Sequence, residues 1–181
     1  MAGSTASSGS GEDDVWLIKT DSSGSEVWDK THGGTYGDGA NSVVQTSDGG
    51  FIVAGWTGAL SEPGSDIWLI KTDSLGSKVW DKTFGGAGDD GGNSVQQTSD
   101  GGYIIAGVTQ SHGAGKEDAW LIKTDSTGGE VWNKTFGGRG NDGGRSVQQT
   151  SDGGYVMTGS TASFGAGGND VWLIKTYADG N

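Results

Sequence analysis

The runs Trp16-Leu17-Ile18-Lys19-Thr20, Trp68-Leu69-Ile70-Lys71-Thr72, Trp120-Leu121-Ile122-Lys123-Thr124 and Trp172-Leu173-Ile174-Lys175-Thr176 are identical and stand 52 residues apart. A constant period without insertions marks a chain built from one repeated supersecondary unit. Three further segments recur at the same period. Val-Trp-x-Lys-Thr lies at 27–31, 79–83 and 131–135, and Ser-Val-x-Gln-Thr-Ser-Asp-Gly-Gly at 42–50, 94–102 and 146–154. An aromatic-led apolar run follows each of the latter, beginning at Phe51, Tyr103 and Tyr155.

Each unit thus holds four short runs rich in Val, Ile, Tyr, Trp and Thr, separated by Asp-Gly, Ser-Gly and Gly-Gly signals and too short for a periodic helix. Ser-Asp-Gly-Gly at 47–50, 99–102 and 151–154 predicts a tight hairpin, because Gly and Asp tolerate positive φ. Asp-Ser-x-Gly at 21–24, 73–76 and 125–128 predicts a second, and the glycine-rich stretches 57–65, 109–117 and 161–169 read as loops. Trp-Leu-Ile is apolar on both faces, which suits a sheet sandwiched between two others. Lys30, Lys82 and Lys134 suit an outer edge, where charge discourages edge-to-edge pairing. The expected order runs outward from Ser-Val-x-Gln-Thr through Ile/Val-Ala-Gly and Trp-Leu-Ile to Val-Trp.

Asp-Gly-Gly-Tyr-Ile-Ile-Ala-Gly (100–107), Asp-x-Trp-Leu-Ile-Lys-Thr-Asp (118–125) and Val-Trp-x-Lys-Thr-Phe-Gly-Gly (131–138) resemble the Gly-rich β-propeller repeats of archaeal and bacterial surface proteins, in the company of kelch-like and YVTN-like blades. The resemblance implies an all-β fold, a β-propeller of four-stranded 52-residue blades. It also implies an extracellular or cell-surface setting, although no signal peptide is legible at Met1-Ala2-Gly3-Ser4, and the letters leave the compartment and a natural or designed origin open. Propellers host many unrelated activities, so function must come from sites.

Propellers normally carry about four to eight blades, whereas this sequence holds three blade equivalents. Residues 3–7 recur at 159–163 and 14–20 at 170–176, so the two ends are complementary. Residues 1–181 therefore read as one propeller segment with units at about 41–92 and 93–144, and a third at 145–181 completed by 1–40 of another protomer. Strand complementation would close the ring by oligomerisation: a six-blade homodimer is favoured, and a nine-blade trimer is the alternative. The closure residues are Val15, Trp16, Leu17, Ile18, Val27 and Trp28 at one end and Val171, Trp172, Leu173 and Ile174 at the other. One copy of the duplicated Trp-Leu-Ile strand is then surplus, and residues 1–20 or 168–181 are expected to be displaced, frayed or extra-paired.

The 181 residues include 38 glycines, eight tryptophans and no cysteine, with a formal net charge of -12. Without cysteine there is no disulfide, thiolate ligand or thiol nucleophile. The acidic balance speaks against nucleic-acid or anionic-membrane partners, and the apolar runs are too short to span a bilayer. No cofactor motif and no catalytic constellation appears, so the sequence reads as a non-enzymatic self-assembling scaffold. The alternative is a module binding a carbohydrate (a lectin) or a peptide through its variable loops.

For that alternative the candidate ligand residues are Trp56, Gln97, Gln149 and His112. Trp56 breaks the repeat, with Val108 and Ser160 as its counterparts, and the glutamines are expected to line a central channel. His32 takes the place of Phe84 and Phe136. Asp38, Asp90 and Asp142 fall at the period and invite a calcium reading, but calcium wants about six to eight oxygen ligands and no EF-hand spacing is present. No metal is expected, and Asp-Gly turns are the simpler explanation of these carboxylates. Asn133-Lys134-Thr135 matches a glycosylation acceptor within a predicted strand.

Overall fold

A computed structural model describes residues 1–58 and 64–181, and over these the chain is all-β, with fourteen antiparallel strands and no helix. The strands form four small sheets, each a meander in chain order. The first comprises β1 (Ala2–Thr5), β2 (Asp14–Thr20) and β3 (Glu26–His32). The second comprises β4 (Asp38–Gln45), β5 (Phe51–Gly58), β6 (Ser65–Thr72) and β7 (Lys78–Phe84). The third repeats it as β8 (Asp90–Gln97), β9 (Tyr103–Thr109), β10 (Asp118–Thr124) and β11 (Glu130–Phe136). The last has β12 (Asp142–Gln149), β13 (Tyr155–Thr161) and β14 (Asp170–Thr176).

The strand order matches the order expected from the segments, and the Val-Trp strands β3, β7 and β11 do form one edge of their sheets. Three features differ. The first strand of each full unit starts at Asp38, Asp90 or Asp142, ahead of Ser-Val-x-Gln-Thr, so these aspartates are strand residues rather than turn residues. Ala2–Thr5 is a strand, so the second and third strands of the unit both occur four times. In the single chain neither end is displaced and both copies of the duplicated strand are paired: β1 pairs with β2 from Ala2↔Leu17 to Thr5↔Asp14, and β13 pairs with β14 from Tyr155↔Thr176 to Thr161↔Asp170. Of the loop expected at 57–65, residues 59–63 lie outside the described residues.

The hairpins close as expected, though glycine alone supplies the positive φ. Gly49, Gly101 and Gly153 sit at 84°, 84° and 83°, and no other residue type has positive φ among the described residues. Asp48 acts through its side chain instead, accepting from Thr46 Oγ1 at 2.6 Å and Gly50 N at 3.0 Å. Local side-chain to backbone bonds of this kind fix a turn without straining φ.

Among the described residues the sheets stack face to face, the strands of each packing on those of its neighbours in chain order, and a hydrophobic cluster fills each interface. The rule is constant. The Val/Leu or Ile/Leu face of one sheet meets the Trp/Ile face of the next: Val15 and Leu17 against Trp68 and Ile70, Ile67 and Leu69 against Trp120 and Ile122, Ala119 and Leu121 against Trp172 and Ile174. This explains why Trp-Leu-Ile is apolar on both faces. Each buried large side chain in these layers is worth about 1.5–3 kcal/mol.

Candidate functional site

Under this rule each terminal sheet has one face that no other sheet covers. On the last sheet, Val171 is 92% and Leu173 66% exposed, whereas their equivalents Val15, Leu17, Leu69 and Leu121 are at 0–1%. On the first sheet the opposite face, Trp16 and Ile18, is only half-buried, where Trp120 and Ile122 are at 2% and 0%. The two open faces are therefore the two halves of the interface that recurs three times inside the chain.

The remaining closure residues fall into place around them. Trp28 makes an edge-on contact with Phe51, ring centroids 5.7 Å apart, as Trp80 does with Tyr103 and Trp132 with Tyr155. Val27 is exposed like Val79 and Val131, so nothing distinguishes it. Trp16 Nε1 donates across the sheet to Asp29 and Trp68 Nε1 to Asp81, each at 3.0 Å, and Trp120 Nε1 donates to Asn133 Oδ1 at 3.2 Å. Trp172 has no such strand beside it, because the last sheet ends at β14. Asn133, the glycosylation-like residue, is engaged in this contact and donates to Glu130 Oε1 at 2.7 Å.

A register shift between positions 40 and 42, 92 and 94, and 144 and 146, of the kind a β-bulge makes, leaves one residue of each first strand out of the ladder. Asn41 and Asn93 use this freedom to donate to Gly92 O and Gly144 O of the next sheet at 2.9 and 2.8 Å. Gln97 and Gln149 accept from Ser47 N and Ser99 N of the preceding sheet at 2.8 and 2.9 Å. They clasp sheet to sheet.

Coordinates also expose carboxylate pairs that span neighbouring sheets. A methyl group placed on Gly137 would stand 1.7 Å from Asp118 Oδ1 and 3.0 Å from Asp142 Oδ2, and Gly33 and Gly85 hold Asp14 with Asp38 and Asp66 with Asp90 in the same way. Burial, then the Asp142 charge, pushes the Asp118 carboxyl up. Burial pushes Asp142 up as well, but the Ser163 and Thr161 hydroxyls outweigh it and hold the carboxyl down. Two carboxyls tuned apart resemble an acid-base pair. Both, however, are only 1–2% exposed, and both are held by loop groups: Ala114 N–H bonds Asp118 at 2.7 Å and Gly138 N–H bonds Asp142 at 2.9 Å. They anchor loops rather than meet substrate. Asp38 and Asp90 are likewise buried, and among the described residues no group of three or more His, Asp or Glu could hold a metal ion.

Lys71 and Lys123 of the Trp-Leu-Ile-Lys strands are buried, each donating at 2.8 Å to the carbonyl of Thr72 or Thr124 and pairing at 2.9 Å with Asp48 or Asp100. Burial pushes Asp100 up, yet the Thr98 hydroxyl, Lys123 and the Gly102 N–H bring it down to about 2. In the last sheet the equivalent Lys175 is 45% exposed.

His112 is exposed, its ring 5.0 Å from Trp120, in the slot where Phe164 lies 5.4 Å from Trp172. His32 fills the Phe84 slot half-buried, with Nε2 3.0 Å from Gly76 O. Two of the ligand candidates border open space: Gln97 lines a cleft of about 490 Å³ with Lys71, Trp80 and Tyr103, and Trp56 stands between two others. Its ring covers Gly37 and Gly39 and separates a cleft of about 540 Å³, lined among others by Asp89, Gln110 and Glu117, from one of about 320 Å³ beside Glu12 and Asp13. No protein-family model and no curated protein matches this chain.

Proposed function

We propose that the protein is a non-enzymatic scaffold that associates head to tail with further copies of itself, its stacked sheets forming the blades of a β-propeller that the assembly closes. The observation that carries this reading is the exposure of Val171 and Leu173 at 92% and 66%, on a face that is buried wherever the repeat has a successor. Strand complementation between the last sheet of one copy and the first of the next is a heterologous contact that joins unlike surfaces, so it can close a ring if the rotation permits. Light scattering coupled to size exclusion tests it: the full chain is expected at twice its 18.4 kDa mass, or three times for a larger ring, and a compact monomer at all concentrations overturns it.

A second reading, recognition of a glycan or peptide, is favoured by one feature, the non-repeated Trp56 between two clefts bearing carboxylates and an amide. Aromatic rings stack on apolar sugar faces while polar neighbours bond the hydroxyls. A glycan array with Trp56→Ala as control separates the two, since scaffold assembly leaves the array blank.

A further inference from the structure

The first strands of successive sheets are joined sideways by a directional ladder. Asn41 Nδ2 donates to Gly92 O, Ser42 Oγ accepts from Val95 N at 3.2 Å, and Gln97 Oε1 accepts from Ser47 N. One period on, Asn93 Nδ2 donates to Gly144 O, Ser94 Oγ accepts from Val147 N at 3.3 Å, and Gln149 Oε1 accepts from Ser99 N. Side chains at the bulge reach forward and Gln97 and Gln149 reach back, while Gln96 Oε1 also reaches forward to accept from Gln149 N at 2.7 Å.

This ladder has two open ends. On β12 the forward-reaching positions are Arg145 and Ser146, both exposed. On β4 the receiving positions are Ala40 O, Val43 N and the Gln45 side chain. Val43 turns its side chain toward the first sheet, against the cluster of Val15, Leu17 and Trp68. The outer edge of β1 pairs with no strand among the described residues, and beyond its Met1 end, beside β2 and β3, a cavity of about 270 Å³ is lined by Met1, Leu17, Trp28, Val43, Gln45 and Phe51. The first sheet is the one sheet that lacks a strand of the β4, β8 and β12 type.

We infer that β12 of one copy occupies this lane beside β4 of the next copy, so that the ladder runs on from chain to chain; the inference rests on the head-to-tail assembly proposed above. In the repeat's own register, Ser146 Oγ receives the Val43 N–H of the next copy, Arg145 faces its Ala40 carbonyl, and its Gln45 Oε1 receives the Ser151 N–H of the first. β12 and β3 of the next copy are then the two edges of one four-stranded sheet. The β1–β2 and β13–β14 pairs compete for its two middle lanes, and one pair is left over at each junction. Two copies form six sheets, whereas stacking of intact terminal sheets would form eight and break the ladder.

The chain has no cysteine, so an engineered pair reports cleanly. Within one chain β4 and β12 belong to sheets separated by the whole third sheet, so Ser146→Cys with Val43→Cys joins only different copies. Mild oxidation is expected to yield a covalent dimer on a non-reducing gel, lost on reduction. A dimer by light scattering without a cross-link overturns the lane assignment and leaves the assembly standing; a monomeric mass overturns the assembly itself. Should the cysteine pair impair folding, Arg145→Asp against Arg145→Asn gives an independent reading. The carboxylate facing a carbonyl is expected to weaken association at least about tenfold, while the amide that the other units carry preserves it. Equal affinities for the two variants overturn the inference.

Discussion

Strands β10 and β14 carry the same Trp-Leu-Ile-Lys-Thr segment after an aspartate, yet every residue of β10 is buried and only Thr176 is buried in β14. The letters and the hairpin pairing on one side are the same. What differs is the company: β10 has a sheet on each face and β11 at its edge, whereas β14 has one covered face and no outer strand. Burial in this molecule is a property of the neighbour, not of the segment, and the stability that each segment contributes follows the neighbour too.

The sharpest way to break that comparison is to truncate the same leucine twice. Leu121→Ala, at a fully buried site, is expected to cost about 2–5 kcal/mol in denaturant unfolding. Leu173→Ala in dilute, dissociated protein should change stability by no more than about 0.5 kcal/mol, and should lower the mass of the assembly at higher concentration. Equal costs would show that the last sheet is covered in the free chain.

The lysines come next. Lys123→Met removes a buried ammonium that holds Asp100 and the Thr124 carbonyl, and about 1–3 kcal/mol is expected, discounted from a fully buried pair because Asp100 is 63% exposed. Lys175→Met, with the lysine 45% exposed, should cost under about 1 kcal/mol. Acid sharpens the contrast. Because the folded Asp100 carboxyl lies near 2, below the ordinary 3.8, its contribution is complete above pH 3.8 and is lost as pH falls towards 2. Lys123→Met should flatten that limb of a stability-versus-pH curve.

A smaller effect separates the two kinds of bulge. Asn93→Ala deletes a sheet-to-sheet bond and should cost about 0.5–1.5 kcal/mol, while Arg145→Ala in the dissociated chain should cost nothing measurable. The smallest expected effect concerns His32. Burial lowers its affinity for a proton, the Gly76 carbonyl working against this, so the folded state favours the neutral ring. Stability then declines as pH falls below 6.5, until the folded group also titrates. His32→Phe, the residue found at 84 and 136, should be flat between pH 7 and 5 in thermal melts.

The repeated strands, their order in each sheet and the outer lysine edge were legible because each rests on local pattern: alternation, turn residues and charge. Asp38, Asp90 and Asp142 read as turn residues because an Asp-Gly pair announces a turn locally, whereas Asp38 and Asp142 are held at strand ends by the Gly34 and Gly138 N–H groups four residues before, and Asp90 accepts from the Ser111 hydroxyl. The strand at Ala2–Thr5 is hard to see in Ala-Gly-Ser-Thr, which has low β propensity and is held by its partner Asp14–Leu17. The Asn41 and Asn93 clasps, and the glutamines turned backward, depend on a bulge whose only trace in sequence is an odd residue before Ser-Val.

Contacts confined to neighbours one period apart also bear on how such a chain can change length. Removing or duplicating any 52 consecutive residues, wherever the cuts fall, rejoins the backbone at equivalent positions and returns every strand to partners of the same kind. Recombination between misaligned copies of the gene therefore yields a chain with one sheet fewer or more whose interfaces are all already proven, and sheet number becomes a quantity that heredity can adjust in whole steps.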